Sequence, residues 1–325
     1  MRMRYRRLGY TDLEVSEISL GCWTMGGPNW KVDSSIGWER PEESEIIEAV
    51  HFAVDHGVNH FDNADVYGNG HAERLLARSL EGLDADVVIA TKVGHFHGTA
   101  LHAYTPLHIR RQCEQSLLNL KRDYIDLYYF HHGNFGPDDR YLEGAIDTMR
   151  TLQREGKIRH IGLSAYSEDD FERLVPAIEP GVLQAHANLL DTRFIRPGGR
   201  IPRLMERYGL SLVAFGPLSQ GVLLDKFDPD SPPEFASGDN RRNKDLFKAD
   251  SLRRIHGKLE KVKERFGGTR EDLARVALQY LLAHECVGCP IVGFRNVDQV
   301  KCNISAADRP LSDEDVAWLR ELFVK

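Results

Sequence analysis

The chain has 325 residues, a formal net charge of −7, and 42% hydrophobic and 28% charged residues. That length suits one large α/β barrel or two ordinary domains, and the composition is that of a soluble globular protein. The acidic balance argues against a dedicated nucleic-acid binder.

The amino terminus, Met1-Arg-Met-Arg-Tyr-Arg-Arg7, is basic, but no apolar core follows it, so no signal peptide is expected. No apolar run reaches the length of a membrane span, and the expected compartment is the cytoplasm. Tyr5 to Gly21 contains the turn-like Gly9-Tyr-Thr-Asp12, which predicts a hairpin closing the bottom of the fold. Eight short apolar runs then read as strands. They centre on Ile18-Ser-Leu20, His60-Phe61, Val87-Val-Ile-Ala90, Ile125 to Phe130, His160-Ile-Gly-Leu163, Val182-Leu-Gln184, Leu212-Val-Ala-Phe215 and Pro290-Ile-Val292. Several are apolar on both faces, as buried parallel strands are. Helical spacing separates them, as in Ile46, Ile47, Val50, Ala53 and Val54, or Leu273, Val276, Ala277, Tyr280 and Leu281. Helix starts are marked by Thr105-Pro106 and by the pairs Ser167/Asp170, Thr269/Asp272 and Ser312/Asp315. Strand followed by helix, eight times over, predicts a (β/α)8 TIM barrel, with residues 1–325 forming a single domain. Ser312 to Lys325 adds a C-terminal helix. No GxGxxG follows the first strand, so a Rossmann site is unsupported. A long polar loop from about Leu224 to Asp250 follows the seventh strand and reads as a lid or binding element.

Five cysteines, an odd and sparse set, do not suggest a disulfide framework. Cys286-Val-Gly-Cys289 has redox spacing, but it lies at a helix end leading into a strand, and two reduced thiols are expected.

Four polar residues fall at or just past apolar strand ends: Asp62 and Tyr67 in the second strand-to-helix loop, Lys92 ending the third strand, and His131 after the fourth. Barrel strand ends converge on one face, so these four can meet. A phenol beside a lysine would have its pKa lowered from about 10. A carboxylate would fix the lysine, and an imidazole could bond the same substrate oxygen. Such a phenol can protonate a developing alkoxide, worth about 100- to 10,000-fold in rate. Developing alkoxide charge arises when hydride reaches a carbonyl, and the protein cannot supply hydride, which implies a nicotinamide cofactor.

The chain resembles the aldo-keto reductase family over nearly its whole length. The stretches that carry the likeness are Leu8 to Ser16, Phe61-Asp-Asn-Ala-Asp-Val-Tyr-Gly68, Ala90-Thr-Lys92, Asp123 to His131 and Gly156 to Gly162. The resemblance implies that Tyr67 is the proton donor, tuned by Lys92 and Asp62, with His131 orienting the carbonyl. It implies that Ser164 and Gln184 hold the nicotinamide amide, with Ala165 in place of the usual asparagine, and that Phe215 stacks on the ring. Pro217, Leu218, Gly221 and Leu223 match the stretch at the pyrophosphate, and Arg241 lies in the segment that clasps it. At the adenine end the matching positions are Gly293, Arg295, Gln299 and Asn303, with Arg295 toward a 2′-phosphate. NADPH is the implied cofactor, with NADH possible, and a small carbonyl or alcohol is the implied substrate. Trp23, Trp30, Phe96 and Phe135 are expected to line its pocket. Two other readings stay open: a nicotinamide-binding module that reports redox state, and a metal-dependent hydrolase using His95, His97, His131 and His132.

Overall fold

The computed structural model describes residues 2–31 and 34–324. Its centre is a closed barrel of eight parallel strands: β3 (Ser19–Gly21), β6 (His60–Asp62), β7 (Val88–Val93), β8 (Ile125–Phe130), β9 (Ile158–Ser164), β10 (Val182–His186), β11 (Ser211–Phe215) and β12 (Val287–Gly293). They neighbour one another in chain order, and β12 returns to pair with β3. Each expected strand is present, and helices occupy the connections, so the (β/α)8 expectation holds.

Two hairpins are added. β1 (Tyr5–Arg7) pairs antiparallel with β2 (Glu14–Ser16), as the Gly9 to Asp12 turn predicted. Its turn carries Leu8 and Leu13 into the barrel, where with Val15 they join Ala90, Leu127, Tyr129, Val182, Val213 and Cys289. Gly9 N donates to Ser211 Oγ at 2.8 Å, at the start of β11, so the hairpin plugs the N-terminal ends of the strands. The second hairpin, β4 (Pro28–Lys31) with β5 (Ser34–Gly37), was not foreseen. Its strands are short and largely polar, so no apolar alternation advertises them.

Thr105-Pro106 starts the helix Pro106–Leu120 through its proline, without a side-chain cap bond, and the Ser/Thr-x-x-Asp signals cap theirs. Ser167 and Thr269 accept from the backbone N–H of Asp170 and Asp272, and Thr269 and Asp272 form a reciprocal capping box. Ser312 accepts from Asp315 N ahead of the final helix Asp313–Val324. Among the described residues, no helix is long and apolar enough to cross a membrane. The cysteines are free, and Cys289 is buried inside the barrel while Cys286 is partly exposed.

Alternation along each strand decides what faces the lumen. Phe61 points out and packs under the helices. His60 and Asp62, two residues apart, share the opposite face. Lys92 follows Ala90 on the lumen side of β7, and Gln184 follows Val182 on that of β10. The barrel is therefore apolar at its plugged end and polar at its open one.

Candidate active site

The four polar residues meet at the C-terminal end of the barrel. Asp62 is the last residue of β6 rather than part of the following loop, because it still pairs with Ala90 and Gly21. Lys92 lies one residue inside the end of β7 and is completely buried. Its ammonium bonds to Asp62 Oδ1, to Asn63 O at 2.5 Å and to the Tyr67 hydroxyl at 3.4 Å. Gln184 Nε2 donates to the other oxygen of Asp62 at 2.7 Å. The carboxylate is held from both sides, and a buried ion pair needs such supplementary bonds to offset desolvation.

Tyr67 comes from the loop after β6. Gly68, at φ +57°, lies so close to Gly26 that an added Cβ would strike the Gly26 carbonyl. Gly68 N donates to Asn29 Oδ1 at 2.6 Å. These contacts press the loop onto the turn Trp23–Gly26, and Trp23 stacks on Tyr67 with ring centroids 6.0 Å apart. His131 follows β8, and its N–H donates to Val93 O at 2.9 Å. Its ring stands edge-on to Tyr67 at 6.0 Å. Behind it, Gly94 at φ +151° makes room that a Cβ would take from the Tyr104 hydroxyl and His131.

The electrostatics differ from expectation on one point. Burial holds the Tyr67 phenol well above its ordinary value, and the Asp62 charge adds to that. Any lowering by Lys92 is outweighed by burial and by the Asp62 charge. Tyr67 is therefore a protonated acid at neutral pH. Burial, followed by His95 and Lys92, holds His131 well below the usual imidazole value, so its ring is neutral. His131 Nδ1 is buried without a partner.

Ring contacts continue around this mouth. Trp23 meets Trp38 edge-on at 5.4 Å, His131 meets His95 at 4.3 Å, and Tyr166 meets Phe215 at 6.3 Å. His95 Nε2 bonds the Tyr166 hydroxyl at 3.0 Å. Trp38 and Tyr166 were missed in the sequence, although Tyr166 sits just past β9 and obeys the same strand-end logic. Of the expected pocket aromatics, Trp23 faces Tyr67. The side chain of Trp30 lies outside the described residues. Phe96 is 39% exposed, and its ring neighbours His108. Phe135 is a correction: it is fully buried between Tyr104 and Phe130, at 4.4 and 5.2 Å, and is a core residue with no pocket surface.

The histidines do not converge on one point. His132 Nε2 bonds Gly94 O at 2.9 Å, His97 Nδ1 bonds Ala100 O at 3.2 Å, and His95 turns to Tyr166. Among the described residues, the one close group of three candidate metal ligands is Asp225, His256 and Glu260, where Lys263 already pairs with Asp225 at 2.5 Å.

The positions assigned to a cofactor border the same mouth. Ser164 and Gln184 are cross-strand partners, both buried. Phe215 ends β11. Pro217 and Leu218 lead into a kinked turn, Ser219–Leu224, that holds Gly221 and Leu223 and has Ser219, Gln220 and Gly221 at positive φ. The long loop after it is latched to the second hairpin, because Asn240 N donates to Gly37 O at 2.9 Å. Arg241 pairs with Asp239 at 2.7 Å and lies over the rings of Phe235 and Trp38, at 4.2 and 4.8 Å. Arg295 lies over the same Trp38 ring at 5.9 Å and bonds Glu39 O at 2.7 Å. Gly293 ends β12, and Asn303 Nδ2 reaches its carbonyl at 3.4 Å. Gln299 N donates to Asn296 Oδ1 at 3.0 Å, capping the start of Val297–Ile304.

This region fits a polyanionic nucleotide. Burial lowers the pKa of both Lys226 and Arg295; nearby cations add to this, Arg270 and Arg241 acting on Lys226 and Arg241 on Arg295. The cations crowd one another, with Asp239, its side chain largely covered, as the counter-charge. Trp38 Nε1, Gln220 Oε1 and Asn240 Nδ2 are buried there without partners. Crowded cations and orphaned polar atoms are what a phosphate-bearing ligand would satisfy.

The sequence profile described as Aldo/keto reductase family matches residues 17–323. The chain is 28% identical over 324 residues to the uncharacterized oxidoreductase YqkF of Bacillus subtilis (strain 168), covering 98% of this chain and 96% of that one. It is 26% identical over 329 residues to the NADH-specific methylglyoxal reductase of Escherichia coli (strain K12), covering 97% of each. Among solved structures, it superposes on aldo-keto reductase AKR11C1 from Bacillus halodurans (holo form) with a TM-score of 0.77 at 27% identity, covering 99% and 96% of the two chains.

Proposed function

The chain belongs to the aldo/keto reductase family, and from that premise we propose that it acts, as a single barrel domain of the cytoplasm, to reduce a small aldehyde or ketone, or to run the reverse reaction, with a nicotinamide cofactor and Tyr67 as proton donor. The observation that carries this reading is the buried ammonium of Lys92, set between Asp62 and the Tyr67 hydroxyl.

When bound, the nicotinamide supplies hydride to the carbonyl carbon. The chain supplies everything else. Tyr67 gives its proton to the substrate oxygen, breaking its O–H bond as the new one forms. The phenolate left behind faces Lys92, whose charge is realised as attraction only once the phenol has ionised, so the pair favours the transition state over the ground state. Asp62, held by Gln184, keeps the ammonium in place. Neutral His131 offers an N–H to the same oxygen without competing for the proton. Trp23, stacked on Tyr67, and Tyr166, bonded to His95, would border the substrate.

Ser164, Gln184 and Phe215 would hold the nicotinamide end. The kinked turn Ser219–Leu224, Arg241 and Arg295 would hold the phosphates. The convergence of Lys226, Arg241 and Arg295 favours NADPH, whose extra phosphate needs a cation. NADH use by the Escherichia coli relative named above keeps the other cofactor in the test. A panel of aldehydes and ketones assayed with NADPH and NADH decides it. The expected result is carbonyl-dependent oxidation of NADPH, with NADH less effective. Absence of turnover with either cofactor across the panel would contradict the proposal.

A further inference from the structure

The loop that delivers Tyr67 carries a second buried carboxyl group. Asp65 is 7% exposed and lies two residues before Tyr67. Its N–H donates to Lys92 O at 3.2 Å, tying it to β7. Its Oδ2 accepts from Gln112 Nε2, on the helix Pro106–Leu120, at 2.9 Å. Its Oδ1 is buried with no partner. The titratable groups facing it come from each element packed around it: Glu73 of the helix His71–Leu80, Lys92 of β7, Tyr128 of β8, Tyr104 ahead of the helix Pro106–Leu120, and Tyr67 in its own loop. Glu73 is bonded by Thr91 and Asn119, at 2.7 and 2.8 Å, and Lys92 by Asp62. Among the described residues, no cation forms an ion pair with Asp65. A deeply buried carboxyl group with one orphaned oxygen and a second buried carboxyl nearby favours its neutral form, against the pull of the Gln112 bond toward the charged one.

We propose that Asp65 is a positioning residue for proton donation, which in its neutral form supports the Tyr67 loop between Gln112 and β7 and on ionising sets a negative charge against the phenolate forming at Tyr67. The inference rests on the proposed role of Tyr67. Burial, opposed by the Gln112 bond and aided by Glu73, pushes the Asp65 carboxyl up to about 7. Its charge is among those that raise Tyr67. Proton donation therefore becomes harder as pH rises through neutrality. Asp65 keeps its own atoms throughout: the proton that moves is the one on Tyr67, and it ends on the substrate oxygen.

The test is the single-turnover rate of NADPH oxidation by an aldehyde, across neutrality, in the parent, Asp65→Asn and Asp65→Glu. An infrared titration of the protonated-carboxyl band accompanies it. The parent rate should fall about three- to tenfold from the acidic to the alkaline side. Asp65→Asn should hold its acidic-side rate throughout, with KM for the aldehyde unchanged, and Asp65→Glu should restore an inflection. A carboxyl band should vanish through neutrality in the parent and be missing from Asp65→Asn. Identical pH profiles in parent and Asp65→Asn, or no titrating band, would overturn the inference. A parent that reduces nothing would contradict the proposed function instead, and the infrared titration would still decide whether Asp65 carries the proton.

Discussion

At the N-terminal end of the barrel, Leu8, Leu13 and Val15 fill the lumen with hydrocarbon; at the C-terminal end the same lumen holds Asp62, Lys92 and Gln184. Both sets of side chains are buried, yet they contribute differently. Inside the lumen the plug's side chains contribute by burial, which is non-directional and tolerates substitutions of similar volume. The polar end is held by directed bonds between charges, which stabilise it only while every partner is present. The lesson is that the same barrel keeps its stability at one end and its chemistry at the other, and the two should fail separately.

The sharpest way to break that separation is Lys92→Met. Removing the ammonium strands a buried carboxylate, so the variant should lose about 3–5 kcal/mol of stability by denaturant titration and also lose carbonyl turnover. Leu8→Ala should lose about 2–5 kcal/mol through the cavity it leaves at the plug, while kcat/KM at a permissive temperature stays at the parental value. A fall in kcat/KM of tenfold or more would show that the two ends are coupled.

Between the ends lies His60, fully buried below Asp62, with Cys289 Sγ at 3.6 Å from its Nδ1 and Nε2 unpartnered. Burial pushes its imidazole down to about 4. The unfolded chain takes up a proton near 6.5, so this group's contribution falls as pH drops from 6.5 toward 4, by up to about 3 kcal/mol. Asp65, raised by burial, has the opposite slope over an overlapping range. The stability of the parent relative to His60→Gln, measured at several pH values, isolates the histidine. It should decline toward acid, and a constant difference would show that His60 keeps its ordinary proton affinity. The smallest of these effects concerns the cofactor side. Arg241→Ala should weaken NADPH binding about 10- to 100-fold, as loss of a charged hydrogen bond predicts. Equal NADPH affinity in the variant would remove Arg241 from the clasp.

The barrel was legible because each strand is a short apolar run followed by a helix signal, and because strand-end polar residues such as Asp62, Lys92 and His131 stand out against hydrocarbon. The hairpin Pro28–Lys31 with Ser34–Gly37 was not, since its pairing leaves no alternation to read. The acidity of Tyr67 was misjudged for a related reason. Sequence brings a lysine and a tyrosine to one place, but only geometry shows that Asp62 shares the site and that burial dominates the phenol. Phe135 read as a loop aromatic at the mouth, whereas Tyr104 and Phe130 close over it. Asp65 was hidden inside a motif whose other members drew attention, and only its orphaned oxygen sets it apart.

The most direct measurement is NADPH-dependent reduction of one aldehyde by the parent and by Tyr67→Phe, with cofactor affinity measured on both. Removing a single hydroxyl should leave affinity within about twofold and lower the single-turnover rate about 100- to 10,000-fold. A Tyr67→Phe variant that reduces the aldehyde at the parental rate would contradict the account, because the proton would then come from another group.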